Sequence, residues 1–380
     1  MTYEEIMKDA YERFKKYPDY VSMTKPEYYL MCDSMSYEQK IRHAIDVAER
    51  YYQTIVYDYG ANVHVSVGGL DSITLLFFLR KYVDPDIKSI SASSLEYKSV
   101  QDVHKQIGID VYLKPIKSKT EVLRDFGFPV ISKEKARKIS ILQQADADKQ
   151  TFIHAIMTGD MGEQGHFQHS DKIKLPDKWL KLFGGNYNEH RPDLNCQNAP
   201  FKVSSDCCYW MKELPADTWA RENMSFPYLG LMASEHGQRE MGLIKNGCNY
   251  FGKGTVRSCP FARFSRQDLL QLALDLDVPV PTIYGTIERK TDGTLYTTRA
   301  QRTGCAMCGF GIHIEKRPHR FDRLREENEK EWEFWMNACV TDPITGEKYG
   351  WGRVLDYIGI EWRNPYFKMP EFEQLRMENL

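Results

Sequence analysis

Val63-His64-Val65-Ser66-Val67-Gly68-Gly69-Leu70-Asp71-Ser72 runs directly into Ile73-Thr74-Leu75-Leu76-Phe77-Phe78-Leu79, and this stretch decides the fold. Valines at 63, 65 and 67 alternate as in a strand, two glycines permit a tight turn, and Asp71 or Ser72 can cap the helix that follows. Such a turn points backbone N–H groups outward, and the helix dipole behind them favours an anion, most often a phosphate. The spacing fits neither G-x-x-x-x-G-K-[ST] nor G-x-G-x-x-G. Taken alone, Gly-Gly is better read as an ordinary strand-to-helix turn.

Working outward, residues 1 to 60 read as helical. Ile6, Ala10 and Phe14 recur at helix spacing, as do Ile41, Ala44, Ile45 and Ala48. Beyond the loop, Ile87 to Ser94 reads as a strand, Lys98 to Ile107 as a helix and Ile109 to Ile116 as a strand. Strands separated by helical patterns predict an α/β fold with a doubly wound parallel sheet and a ligand at the carboxyl ends of its strands. Ser93, Ser94 and Glu96 then fall near that edge, where a plain polar loop is an equal reading. Residues 140 to 200 read as an insertion holding His154, His166, His169 and Gly184-Gly185. These histidines follow no metal-binding spacing and receive no role. The expected divisions are an N-terminal helical region (1–60), a nucleotide-binding α/β domain (61–295) and a C-terminal region with a C-x-x-C and a basic helix (296–380).

The 380-residue chain is 42% apolar and 27% charged with a net charge of −2, which excludes a disordered or globally basic protein and restricts any nucleic-acid site to a local patch. It shows no N-terminal apolar signal region, and Ile73 to Leu79 is far too short to span a bilayer. A cytoplasmic location without membrane partners is expected. Nine cysteines, including the adjacent Cys207-Cys208 and the C-x-x-C at Cys305 and Cys308, fit a reducing compartment and a metal or cluster site better than a disulfide framework.

Several segments carry a resemblance. Gly68-Gly69-Leu70-Asp71-Ser72 resembles the S-G-G-x-D-S loop of the adenine nucleotide alpha-hydrolase-like (PP-loop) superfamily, with Val67 standing at its first serine. Phe126-Gly127-Phe128-Pro129-Val130-Ile131-Ser132-Lys133 is similar to the G-x-P-x-x-S-K segment of the sulfonucleotide-reductase branch. Gly230-Leu231-Met232-Ala233-Ser234-Glu235-His236-Gly237-Gln238-Arg239 resembles that branch's G-x-R-x-x-E-S-x-x-R, with Met232 and His236 departing from it. Phe264-Ser265-Arg266-Gln267-Asp268 and Tyr284-Gly285 resemble later family segments, in which Ser265 and Asp268 cap a helix. Cys207-Cys208-Tyr209-Trp210-Met211-Lys212-Glu213-Leu214-Pro215, followed far downstream by Thr303-Gly304-Cys305-Ala306-Met307-Cys308-Gly309, resembles the iron-sulfur cysteines of adenylyl-sulfate reductases. In all, residues 37 to 360 resemble the phosphoadenylyl-sulfate (PAPS) reductase family.

That resemblance implies a HUP/PP-loop, Rossmann-like fold with N-terminal helices and a C-terminal cysteine-containing helical region. It implies ATP with Mg, or an adenylyl nucleotide, held by Ser66, Gly68, Gly69, Asp71, Ser72, Ser94, Lys133, Gly230 and Arg239. It implies a [4Fe-4S] cluster on Cys207, Cys208, Cys305 and Cys308. Four soft thiolates suit iron-sulfur or zinc, adjacent cysteines are awkward on a single zinc, and reduced buried thiols are the third reading.

Reductases of this family carry a nucleophilic cysteine in a C-terminal E-C-G-x-H. This chain ends Glu378-Asn379-Leu380, and its one late cysteine, Cys339, has different neighbours. The leading expectation is therefore an ATP-dependent sulfurtransferase, with Asp71 in the loop and Cys259 as a transient persulfide carrier as the catalytic candidates. Its partners would be a sulfur donor such as a cysteine desulfurase and an acceptor that includes nucleic acid among the options; a homodimer stays open. The basic run Lys316-Arg317-Pro318-His319-Arg320-Phe321-Asp322-Arg323-Leu324-Arg325 would receive that nucleic acid, or is a mixed-charge solvated helix. The alternatives are a sulfonucleotide reductase using another thiol, and a nucleotide-binding regulatory or defence protein with a structural or redox-sensing cluster.

Overall fold

The valine alternation forms strand β1 (Asn62–Ser66), with Val63, His64 and Val65 all buried. In this computed structural model, which describes residues 1–18 and 20–367, β1 is central to a six-stranded sheet. Its partners are β2 (Lys88–Ser91), β3 (Val111–Tyr112), β4 (Ser225–Tyr228), β5 (Asn249–Gly252) and β6 (Thr255–Ser258), in the order β3-β2-β1-β4-β6-β5. All neighbours are parallel except β5 and β6, which form an antiparallel hairpin at the edge. The hairpin makes the sheet mixed where a wholly parallel one was expected. The register places Val65 beside Ser89 on one side and Tyr228 on the other. Strand order reverses at β1, so the crevice outside the carboxyl ends of β1 and β4 is the topological switch point where such folds hold ligands.

The helices that cross between these strands follow from their apolar spacing. Helices α1 (Tyr3–Lys16), α2 (Lys25–Ser34) and α3 (Tyr37–Tyr52) precede the sheet. Phe14 of α1 stacks on Phe251 with ring centres 3.8 Å apart, and Tyr3 on Phe226 at 4.4 Å. Helix α4 (Leu70–Tyr82) is apolar on most sides and buries seven residues, including Leu75, Leu76, Phe78 and Leu79, as a helix inside a layered core does. Helix α5 (Lys98–Ile107) matches the predicted span and returns the chain to β3. The predicted strand to Ile116 shrinks to Val111–Tyr112.

The chain packs as two units. The first joins Met1–Lys114 to Lys212–Gly304 and contains the sheet; it also holds α6 (Leu214–Glu222), α7 (Gly237–Asn246) and α8 (Arg266–Asp275). The second joins Pro115–Met211 to Cys305–Leu380. These boundaries differ from those expected at 60 and 295. Inside the second unit, Val130–Ile131 pairs in parallel with Gly309–Phe310. Its core is built around the fully buried Trp351, with ring centres 5.0 Å from Phe128 and 5.1 Å from Phe321. The expected insertion and the C-terminal region thus share one core.

The arginines of the basic run are paired within the second unit. Arg317 pairs with Asp322, Arg320 and Arg323 with Glu315, and Arg325 with Glu329. The run therefore reads as the mixed-charge helix start. Among the described residues, no helix is long and apolar enough to cross a membrane. The chain end at 378–380 lies outside the described residues.

Two stability consequences follow. Removing the Trp351 ring leaves a cavity among aromatic neighbours, so Trp351→Ala is expected to cost about 3–5 kcal/mol in denaturant unfolding. His64 is buried with Nδ1 2.8 Å from Ser225 Oγ, and burial pushes its pKa down from 6.5 to about 3. The unfolded chain binds a proton below 6.5 that the fold refuses until about 3, so stability is full above that window and falls as the pH drops into it. The slope from this one group is on the order of 1 kcal/mol per pH unit. Unfolding free energies measured between pH 7 and 4.5 should show this acid limb, flatter in His64→Asn.

Candidate functional site

The loop after β1 is held open by side chains that come from elsewhere in the first unit. The Val67 N–H still donates to Ile90 O at 2.8 Å, which carries the strand up to the turn. The Gly68 N–H then donates to Ser72 Oγ at 2.7 Å, and the Ser72 hydroxyl donates to Gly69 O at 3.0 Å. Ser72 therefore folds back to brace the turn. Neither it nor Asp71 caps α4; Gly69 is the capping position, and no side chain bonds there. The Leu70 N–H donates to Tyr284 Oη at 3.2 Å, and Tyr284 Oη lies 2.6 Å from Thr303 Oγ1. His104 Nε2 donates to Gly68 O at 2.8 Å, and its Nδ1 accepts from Ser93 Oγ at 2.9 Å. This pair of bonds fixes the imidazole tautomer.

Two glycines are required by close approach. A Cβ on Gly69 would collide with the Tyr284 hydroxyl and stand 3.1 Å from Thr303 Oγ1. A Cβ on Gly230, just past β4, would lie 3.1 Å from the Asp71 carbonyl oxygen and 3.3 Å from Ser72 Cα. Side-chain-free backbone on both sides lets the first turn of α4 face a cavity of about 330 Å³.

The cavity is charged but balanced. Lys212 Nζ lies 2.7 Å from Glu96 Oε1, Arg239 Nη1 2.8 Å from Glu235 Oε2, and Arg302 Nη1 3.4 Å from Glu235 Oε1. The carboxylate side chains are buried at 5% and 4% exposure for Glu96 and Glu235, whereas Lys212, Arg239 and Arg302 are 35%, 56% and 46% exposed. The acids thus anchor the cations from behind. An arginine carries five donors, more than Glu235 can take from Arg239 and Arg302, so these two side chains can also reach an anion. Asp71 is gripped by Arg266, Oδ1 to Nη1 at 2.5 Å, and Arg266 also donates to Gln301 O at 2.9 Å. Burial pushes the Asp71 carboxyl up; Arg266 and Arg302 oppose this, and Glu235 adds to it. The assembly suits a phosphate-bearing ligand, since helix N–H groups and cations converge on one space.

Of the residues expected here, Ser66, Gly68, Gly69, Asp71, Ser72, Gly230 and Arg239 all line the cavity. Ser94 does not; it is exposed on the short turn Ser93–Leu95. Lys133 opens the helix Lys133–Gln144 of the second unit and is not a lining residue. Cys259 is 0% exposed, takes a hydrogen bond from Arg257 Nη1 at 2.7 Å, and has its thiol pushed up by burial. It lies in the core and not at the cavity, so it is badly placed for a persulfide carrier. Lys212, Arg266, Tyr284, Arg302 and Thr303 were not singled out from the sequence for this site. The signals for Lys212 and Thr303 were present, since each stands a few residues from a cysteine motif.

The proposed ligand cysteines all belong to the second unit. The Cys207 thiol is pushed far up by its hydrogen bond with Cys208, by burial, and by the charges of Cys208, Cys308 and Cys305. Cys308 is pushed up to about 11 by burial and by Cys305, against Arg320. The Cys308 N–H donates to Cys305 O at 3.1 Å, closing the C-x-x-C turn, and Arg320 Nη1 donates to Cys308 O at 2.9 Å. The structure gathers the four thiols closely enough to oppose one another's ionisation. Four soft sulfur donors are the chemistry that an iron-sulfur centre takes. Among the described residues, however, no group of three or more His, Cys, Asp or Glu side chains has an arrangement that could hold a metal ion. Cys339 is buried, donates to Trp335 O at 3.3 Å and is pushed up to about 12 by burial, a poor nucleophile.

No family model matches the sequence, and no curated protein matches it. Among solved structures, the chain is similar to a phosphoadenylyl-sulfate (PAPS) reductase from Candida auris in a phosphate complex, at 11% identity and a TM-score of 0.31, covering 72% of this chain and 98% of that one. A likeness that distant carries no chemistry across.

The crowding at Gly69 is directly testable. Gly69→Ala is expected to drive the Tyr284 hydroxyl off the Leu70 N–H and to lower stability by about 1–3 kcal/mol, as overpacking does. Unfolding in urea measures it; an unchanged midpoint would mean the turn has slack to absorb a methyl group.

Proposed function

We propose that this chain is a PP-loop-type enzyme that binds ATP at the cavity after β1, adenylates an oxygen of its substrate and exchanges that oxygen for sulfur. One observation carries the reading: the start of α4, whose N-cap Gly69 has no side chain, stands at the switch point of the sheet and faces the same space as Lys212, Arg239 and Arg302. Beyond the Leu70 N–H, which Tyr284 takes, the first turn of α4 would offer its N–H groups to phosphate oxygens. Lys212, Arg239 and Arg302 would share the remaining phosphate charge, with magnesium bound alongside the nucleotide offsetting more of it.

In the first step, the substrate oxygen attacks the α-phosphorus, and pyrophosphate leaves with the bridging electron pair. The cations stabilise the charge that builds on the leaving group. In the second, a hydrosulfide displaces AMP from the adenylated carbon or ring atom, leaving the thiolated product. No cysteine lines this cavity, which favours a separate sulfur donor over a reductase thiol supplied by Cys339 or Cys259. Cys207, Cys208, Cys305 and Cys308 would hold an iron-sulfur cluster, which when bound supplies sulfide-binding or electron-transfer chemistry.

Calorimetry with ATP and magnesium tests the binding, and Lys212→Ala and Arg239→Ala are each expected to weaken it by about tenfold or more. Product analysis with ATP, sodium sulfide and total RNA should then yield AMP and pyrophosphate. Sulfite released from adenylyl sulfate would favour the reductase instead, and binding without turnover would favour a regulatory protein. Protein purified without oxygen is expected to carry about four irons and four sulfides per chain, lost in Cys207→Ser. One zinc and no iron would remove the cluster from this reading.

A further inference from the structure

The hydroxyl pair above the loop has a direction. Tyr284 Oη accepts from the Leu70 N–H at 3.2 Å and lies 2.6 Å from Thr303 Oγ1. A phenol has one proton to give and is a stronger acid than an aliphatic alcohol, so that proton belongs on the short bond to Thr303. Burial keeps Tyr284 protonated, with its pKa pushed up to about 12. Thr303 Oγ1 is then an acceptor on this side, and its own proton is left for another partner. Thr303 lines the cavity together with Arg302, Lys212 and Arg239. The loop lacks such a donor of its own at one position: Val67 brings an apolar, buried side chain where a hydroxyl could have faced the ligand. The arrangement exists only because Gly69 leaves room for the Tyr284 hydroxyl.

We propose that Thr303 is a phosphate-contacting residue, and that Tyr284 is the positioning residue that orients its hydroxyl by relaying the Leu70 N–H into the cavity. The chain of donors runs from the backbone N–H through the phenol to the threonine. A helix-terminal donor too deep to touch the ligand is thereby converted into a hydroxyl that does. This rests on the nucleotide reading given above.

The test is calorimetric titration of the full chain with ATP and magnesium. Thr303→Val, which removes the hydroxyl and keeps the shape, is expected to weaken binding about tenfold, as loss of a hydrogen bond to a charged group does. Thr303→Ser should bind within about twofold of the unaltered chain. Tyr284→Phe should weaken binding severalfold. Tyr284→Phe combined with Thr303→Val should be no weaker than Thr303→Val alone, because the two groups act in series. Thermal unfolding of each variant reports whether it folds; should Thr303→Val fail to fold, Tyr284→Phe and Thr303→Ser decide the matter. Thr303→Val binding as tightly as the unaltered chain overturns the proposal, as do fully additive losses in the double variant. If the unaltered chain binds neither ATP nor adenylyl sulfate, the nucleotide reading itself falls and takes this proposal with it.

Discussion

Two backbones meet at the first turn of α4 with no room for a side chain between them, and the site depends on that contact. On one side the segment after β4 presses Gly230 against the Asp71 and Ser72 backbone; on the other, the Tyr284 hydroxyl occupies the space over Gly69. Protein interiors are packed near solid density, so such an approach leaves little freedom for the two segments to shift independently. Asp71 is then carried to Arg266 at the start of α8, and Ser72 closes back on Gly68. Three chain segments far apart in sequence are thereby pinned to one helix end.

The charge arrangement has a logic of its own. Glu96 and Glu235 are buried carboxylates whose desolvation is costly unless they are paired, and Lys212, Arg239 and Arg302 provide the pairing. The cavity lining balances Asp71, Glu96 and Glu235 against Lys212, Arg239 and Arg302, so its cations are held in place without the mutual repulsion of a bare basic pocket. An incoming polyanion competes with the carboxylates for donors that are already aimed. Preorganisation of this kind lowers the reorganisation needed when charge moves during a reaction.

How much of this was legible in the sequence depends on the range of the interactions involved. The strand-turn-helix at the loop and the span of α5 follow from neighbours within a few residues, and there periodicity reads correctly; the cap does not, because Ser72 turns back to Gly68. The strand after α5 was overextended because Ile116 looks like strand by propensity, whereas the chain leaves the sheet after Leu113, whose N–H still bonds to Ser91. Gly68, Gly69, Gly230 and Arg239 were recognisable as motif residues. Arg266 and Tyr284 fall in segments that resemble the family but whose local pattern shows only a helix start and a turn, and Arg302 falls in none, so nothing local tells that Tyr284 and Arg302 line the cavity and that Arg266 holds Asp71. The basic run left two readings open for a similar reason: its acids, Glu315, Asp322 and Glu329, stand beside or inside it, but only side-chain geometry shows that they pair with Arg317, Arg320, Arg323 and Arg325. The unit boundaries were the least legible feature, because pairing of Val130–Ile131 with Gly309–Phe310 leaves no local mark.

That discontinuous second unit sets an order of events during synthesis. Its first segment, with Cys207 and Cys208, leaves the ribosome long before the segment that supplies Cys305, Cys308 and the Trp351 core. Contacts so distant in sequence close late. Until they do, the Cys207 thiol lacks the burial and the Cys305 and Cys308 neighbours that add to its suppressed ionisation in the finished fold, and an ionised thiol is the form that oxidises. The nascent chain therefore passes through a period of greater thiol reactivity than the finished protein, and any centre held by all four cysteines is installed only after translation has passed the last of them.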